Sequence, residues 1–131
     1  MRIGISCAEA WAKGAAGEIV LSPDPKNTWL DGQVVRAANF RAWAQAAARQ
    51  EDVPFIDANE SIAKKYDAAG REFVTQNYFP ASETEHTDWA GAILNARCIV
   101  EGIRKLEHCE LVRYLWPTPP ADPPLPSGNA R

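Results

Sequence analysis

Glu83 and His86 are separated by two residues in the stretch ETEHTDWAGA, which runs directly into a small-residue helix start. At that spacing, a carboxylate can hold one ring nitrogen of the imidazole while the other nitrogen faces a substrate or nucleophile. The acid then fixes the tautomer and stabilises the imidazolium formed when the histidine takes a proton, which is what acyl transfer by a serine requires. Glu85 is the alternative carboxylate, although a residue adjacent to His86 projects elsewhere. A structural role is the competing reading, with His86 as a helix-entry residue bonded to main chain. Metal chemistry would need a third ligand, and His108, toward the far end of a helix of about 18 residues, would lie roughly 27 Å away. No metal and no organic cofactor is expected.

The elements that must position this pair follow an α/β order. Ahead of it, CAEAWAKGAAG has the composition of a helix tail. GEIVLSPDP is a short apolar run ended by prolines, which suits a strand buried on both faces of a parallel sheet. After a turn-like KNTWLDGQ, apolar positions at helical spacing predict a helix over Val34–Gln50. VPFIDAN reads as a second parallel strand. Asp57 and Glu60 resemble a capping box for the helix that follows, and Gly70 is its stop. REFVTQNYF is a short amphipathic piece leading to the polar loop of Glu83 and His86. Trp89, Ile93, Ala96, Val100 and Ile103 then predict a helix to about Leu106, with Thr87 or Asp88 as N-cap.

The chain has 131 residues, enough for one domain with one core. Its 14 Lys+Arg against 17 Asp+Glu give a net charge of −3 without a long basic run, which argues against nucleic acid or an anionic membrane surface as partner. Apolar runs fall far short of the roughly 20 residues that span a bilayer. The apolar start before Gly4 is too short for a signal peptide. The three cysteines, Cys7, Cys98 and Cys109, form no C-x-x-C pair. Cys98 and Cys109 would need the chain to double back to bond, so free thiols are the expected state. Six prolines between Pro117 and Pro126 mark residues 116–131 as an extended or disordered tail beyond a domain spanning 1–115.

Two strands with four helices make an incomplete sheet, because parallel strands need covered faces and neighbouring strands at their edges. The expectation from this imbalance is a C-terminal portion of a larger α/β domain, with N-terminal strands missing.

The stretch YFPASETEHTDWAGAILNARCIVEGIRKL, residues 78–106, resembles the last block of the SGNH (GDSL-like) hydrolases, specifically the rhamnogalacturonan acetylesterase-like carbohydrate esterases. In that block a carboxylate, two residues, the catalytic histidine, Thr and a small-Gly-Ala helix start follow one another. Upstream, GEIVLSPDPKNTWLDGQVVRAANFRAWAQAAA and VPFIDANESIAKKY are similar to the family's late strand, helix and strand, so the likeness covers about residues 10–115. It implies a flavodoxin-like three-layer fold with a parallel sheet. It implies further that His86 is the general base, that Glu83 stands where the family more often has Asp, and that the substrate is an acetylated polysaccharide or oligosaccharide. Secretion or a periplasmic location is implied as well.

The family's Gly-Asp-Ser nucleophile block and its oxyanion-donor blocks do not occur here. None of Ser6, Ser22, Ser61, Ser82 and Ser127 sits in such a block, and GISCA around Ser6 lacks the strand an elbow needs. Without a serine and oxyanion donors, the isolated chain is expected to be nearly inert as an esterase. Two alternatives remain open: a non-enzymatic interaction module that uses an exposed sheet edge or a Trp-rich surface to bind a partner, a second copy among the candidates, and a split enzyme completed by another chain. Lys26 and Asn27, at a strand end facing a cleft, and Trp29, as a sugar platform, are the secondary candidates.

Overall fold

A computed structural model describes residues 9, 12–14 and 17–118. Most of the expected helix tail, the GISCA stretch and residues 119–131 of the expected tail lie outside the described residues.

The described residues form a mixed α/β structure around a small parallel sheet. β1 (Val20–Leu21) pairs in parallel with β4 (Phe55–Ile56), Val20 opposite Phe55 and Leu21 opposite Ile56. The connection between them contains a hairpin of β2 (Trp29–Leu30) and β3 (Gln33–Val34), followed by helix α1 (Ala38–Gln50). After β4 come α2 (Ala58–Ala69), α3 (Arg71–Asn77), α4 (Trp89–Arg104) and a 3₁₀ helix (Glu110–Tyr114).

Strand alternation divides the core between the two faces of the sheet. On one face Val20 packs with Ala44 and Ala48 of α1 and with Val53. On the other, α2 and α4 bury Ile62, Ala63, Tyr66 and Cys98 together with Val34, Val74 and Phe79. Helix α4 comes so close to β4 that a Cβ on Gly102 would meet Ile56 Cγ2 at 2.5 Å.

Two expected boundaries are corrected. The helix expected from Val34 begins at Ala38, because Val34 is already a strand residue with its N–H donated to Asp67 Oδ1 at 2.7 Å. KNTWLDGQ, expected as a turn, holds β2 and the first residue of β3, and only Asp31-Gly32 is the turn of their antiparallel hairpin: both have positive φ, 50° and 80°, the left-handed pair that a two-residue hairpin loop favours. Asp57 does cap α2, accepting from the Glu60 N–H at 3.2 Å, so the second strand is shorter than expected and Ala58 and Asn59 are helical. Gly70, φ 88°, ends α2 and opens α3. Cys98 and Cys109 are free thiols, Cys98 fully buried.

Candidate functional site

The polar segment between Tyr78 and α4 is folded by its own carboxylate. Glu83 Oε1 accepts the main-chain N–H groups of Glu85 (2.8 Å), Thr84 (2.9 Å) and His86 (3.4 Å), and Glu83 N–H donates back to the Pro80 carbonyl at 3.0 Å. With Oε1 so occupied, Oε2 faces the imidazole, 3.4 Å from His86 Nδ1. That separation is at the long end for a hydrogen bond. The Glu85 N–H first, then the His86 side chain and main chain, hold the Glu83 carboxyl down to about 2. It is therefore an anion at every pH where an imidazole would need it.

His86 itself stands in solvent, its side chain 82% exposed, and among the described residues nothing bonds its Nε2. The second ring nitrogen is thus presented outward. The helix that follows is capped by Asp88, whose Oδ1 accepts from the Gly91 N–H at 3.0 Å, while the Asp88 N–H donates to the Tyr78 carbonyl. Glycine is required at 91, since a Cβ there would lie 2.5 Å from the Tyr78 carbonyl oxygen and 2.8 Å from Thr87 Cβ.

The loop after β1 meets this segment from the other side. Asn27 N–H donates to the Thr84 carbonyl at 2.8 Å, and Lys26 forms an ion pair with Glu85. Glu85, the alternative carboxylate, is thereby directed to Lys26, and Glu83 is left as the acid at the ring. Asn27 also accepts from Trp29 Nε1 at 2.7 Å and bonds Thr75 Oγ1. The Trp29 indole is thus tied to Asn27 and packed against the larger core cluster.

Below the surface, the carboxyl ends of both parallel strands are joined. Ser22, after β1, donates its hydroxyl to Asp57 Oδ1 at 2.9 Å and accepts from the Asn59 N–H at 2.8 Å. Asp57 also takes the Arg41 guanidinium through both oxygens. Burial raises the Asp57 pKa, but the hydrogen bonds from Arg41, Ser22 and Glu60 outweigh it, so the net shift is downward. A second chain of bonds runs from Tyr66 Oη to Asn95 Oδ1, and from Asn95 Nδ2 to Asp24 Oδ2, fixing the β1 loop onto α4. Sequence reading missed these ties, because their partners lie 16 to 71 residues apart.

Among the described residues no serine hydroxyl is hydrogen bonded to His86: Ser22 is buried on Asp57, and Ser61 donates to the Ala58 carbonyl. Ser6 and Ser127 lie outside the described residues. Among the same residues no group of three or more His, Cys, Asp or Glu side chains is arranged to hold a metal ion, and no helix is long and apolar enough to cross a membrane.

No protein-family model matches the chain, and no curated protein matches it. A solved structure, the protein YxiM from Bacillus subtilis, is similar, with a TM-score of 0.70 and 25% sequence identity over 79% of this chain. The chain spans 29% of the length of that protein.

Proposed function

We propose that the chain is the histidine-bearing part of an SGNH-type serine esterase with a flavodoxin-like three-layer fold, acting on acetyl esters of a polysaccharide such as rhamnogalacturonan. The observation that carries this reading is the Glu83–His86 pair: an ionised carboxylate 3.4 Å from Nδ1, and an outward ring whose Nε2 has no partner among the described residues. In this reading His86 takes the proton of a serine hydroxyl, Glu83 orients and stabilises the imidazolium, and the acyl-serine is then cleaved by water with the same histidine as base. The serine comes from polypeptide outside this sequence, and the substrate class follows from the resemblance of residues 78–106.

The test is acetyl release from acetylated rhamnogalacturonan oligosaccharides by this chain combined with the segment that carries the serine. His86→Ala should lower the rate by about 10²- to 10⁴-fold, the usual worth of a general base. Equal rates in the two proteins would remove His86 from catalysis. A second reading, a non-enzymatic interaction module, draws support from the exposed aromatic pair Phe40 and Trp43.

A further inference from the structure

The turn that carries Glu83 and His86 has no packing of its own. Thr84, Glu85 and His86 are exposed, and no residue from 80 to 88 belongs to either core cluster. Its apex is fixed at one peptide unit, Thr84–Glu85, whose two polar groups are engaged from opposite sides. The C=O accepts the Asn27 N–H at 2.8 Å, and the N–H, that of Glu85, donates to Glu83 Oε1, also at 2.8 Å. Because the peptide unit is a rigid plane, a donor held on its carbonyl sets the direction in which its N–H points. A bond accepted at the oxygen also polarises the unit and strengthens the bond donated at the nitrogen. Among the contacts that hold the Glu83 carboxyl down to about 2, this Glu85 N–H comes first.

Asn27 is itself held from two sides through its side chain. Trp29 Nε1 donates to Oδ1 at 2.7 Å, and Nδ2 donates to Thr75 Oγ1, on α3, at 3.1 Å. The Trp29 indole packs on the larger core cluster, and the Thr28 carbonyl accepts the Val35 N–H at 2.8 Å beside the hairpin. The β1 loop is thereby fixed to the core, to α3 and to the hairpin, and a single main-chain bond carries that position to the turn. Lys26 pairs with Glu85 alongside, but both side chains are more than half exposed, and such a pair confers little rigidity.

We infer that Asn27 is a positioning residue, which aims the His86 imidazole through the Thr84–Glu85 peptide and Glu83. The inference rests on the esterase reading only for what the aimed ring then does. Without its side chain, residue 27 loses its ties to Trp29 and Thr75, and its N–H is no longer held opposite the Thr84 carbonyl. The Glu85 N–H then loses its direction, and Glu83 is released from the main chain and the ring together. An Asn27 that only tied the β1 loop to α3 would stabilise the fold and leave Glu83 as it is.

The test follows the Glu83 side-chain carboxyl carbon by NMR in the full chain, with thermal unfolding as the control for the fold. Asn27→Ala should raise the Glu83 titration midpoint from about 2 by about one pH unit or more. Thr75→Val removes an exposed hydroxyl on a different element and cuts only one of the two ties, so it should raise the midpoint by about half a unit. Thr75→Ser should restore the parent value. The charged groups paired on the turn, His86, Glu85 and Lys26, are retained in all three variants, so their fields cannot account for a shift. Thr75→Val carries the test where Asn27→Ala costs the fold. A midpoint left at the parent value in folded Asn27→Ala or Thr75→Val protein would overturn the inference, as would a Thr75→Ser variant that behaves like Thr75→Val. Adding the serine-bearing segment separates the two ideas. A midpoint that follows Asn27 in a protein whose acetyl release ignores His86→Ala upholds the positioning role and refutes the esterase reading; an unmoved midpoint with His86-dependent release does the reverse.

Discussion

Glu83 serves His86 with one oxygen and the main chain with the other: Oε2 lies 3.4 Å from Nδ1, while Oε1 accepts three successive N–H groups, the last of them that of His86 itself. Ring and backbone are thus referenced to the same carboxylate. The acid keeps its charge because the donors on Oε1 favour the ionised form.

The pH dependence of that contact follows from its sign. A carboxyl depressed from its ordinary value of about 4.3 to about 2 contributes fully above the ordinary value and loses that contribution progressively as pH falls from there through about 2. The side-chain carboxyl carbon of Glu83, followed by NMR, should therefore titrate near pH 2. A midpoint near 4 would mean that the turn does not form in solution.

Asp57 is the test of the scaffold beneath. Asp57→Ala removes the α2 cap and strands the Ser22 hydroxyl and the Arg41 guanidinium, and should cost about 2–4 kcal/mol in urea unfolding. Asp57→Asn keeps an acceptor for the cap and should cost less. Asp57 and Asp67 are both depressed, in each case because hydrogen bonds to arginine outweigh the effect of burial. Their stabilisation is present above about pH 4 and is lost as pH falls through their folded values, so Asp57→Asn should flatten the loss of stability in acid.

Gly91→Ala should destabilise the protein although alanine is the better helix former by about 1 kcal/mol. The new methyl meets a main-chain carbonyl at 2.5 Å, and one of the two must move, at a cost of about 1–3 kcal/mol. Because Thr87 is the other atom in the way, amide shifts should spread to His86. A variant as stable as the parent would show that the helix mouth is looser than described.

Thiol labelling should separate the two described cysteines. Cys109 is partly exposed and should react in the folded protein, while Cys98 is buried, with its thiol raised first by that burial, and should react only on unfolding. Mass mapping of the labelled peptides distinguishes them. Rapid labelling of Cys98 would indicate that α4 opens away from β4.

What the sequence made legible was what depends on near neighbours. Asp57, Asp88 and Gly70 act within three or four residues, and the helical stripe from Trp89 repeats over four turns, so capping and periodicity could be read directly. The start of α1 could not, because Val34 is claimed by a cross-chain bond to Asp67 that outweighs its place in the helical pattern. The hairpin was readable and was missed: Asp31-Gly32 between Trp29-Leu30 and Gln33-Val34 is the dipeptide that turns a chain back on itself. At the site, the Glu83–His86 spacing was visible, whereas the diversion of Glu85 to Lys26 joins residues 59 apart and needed the fold.

A turn that closes on a side chain three residues from its own end carries its own folding instruction. Substituting position 83 strikes the shape of the loop and the charge beside the imidazole together, so neither property can drift without the other. A shorter acid there would have to rebuild the turn before it could address the ring, and loop and imidazole partner should change in concert or stay as they are.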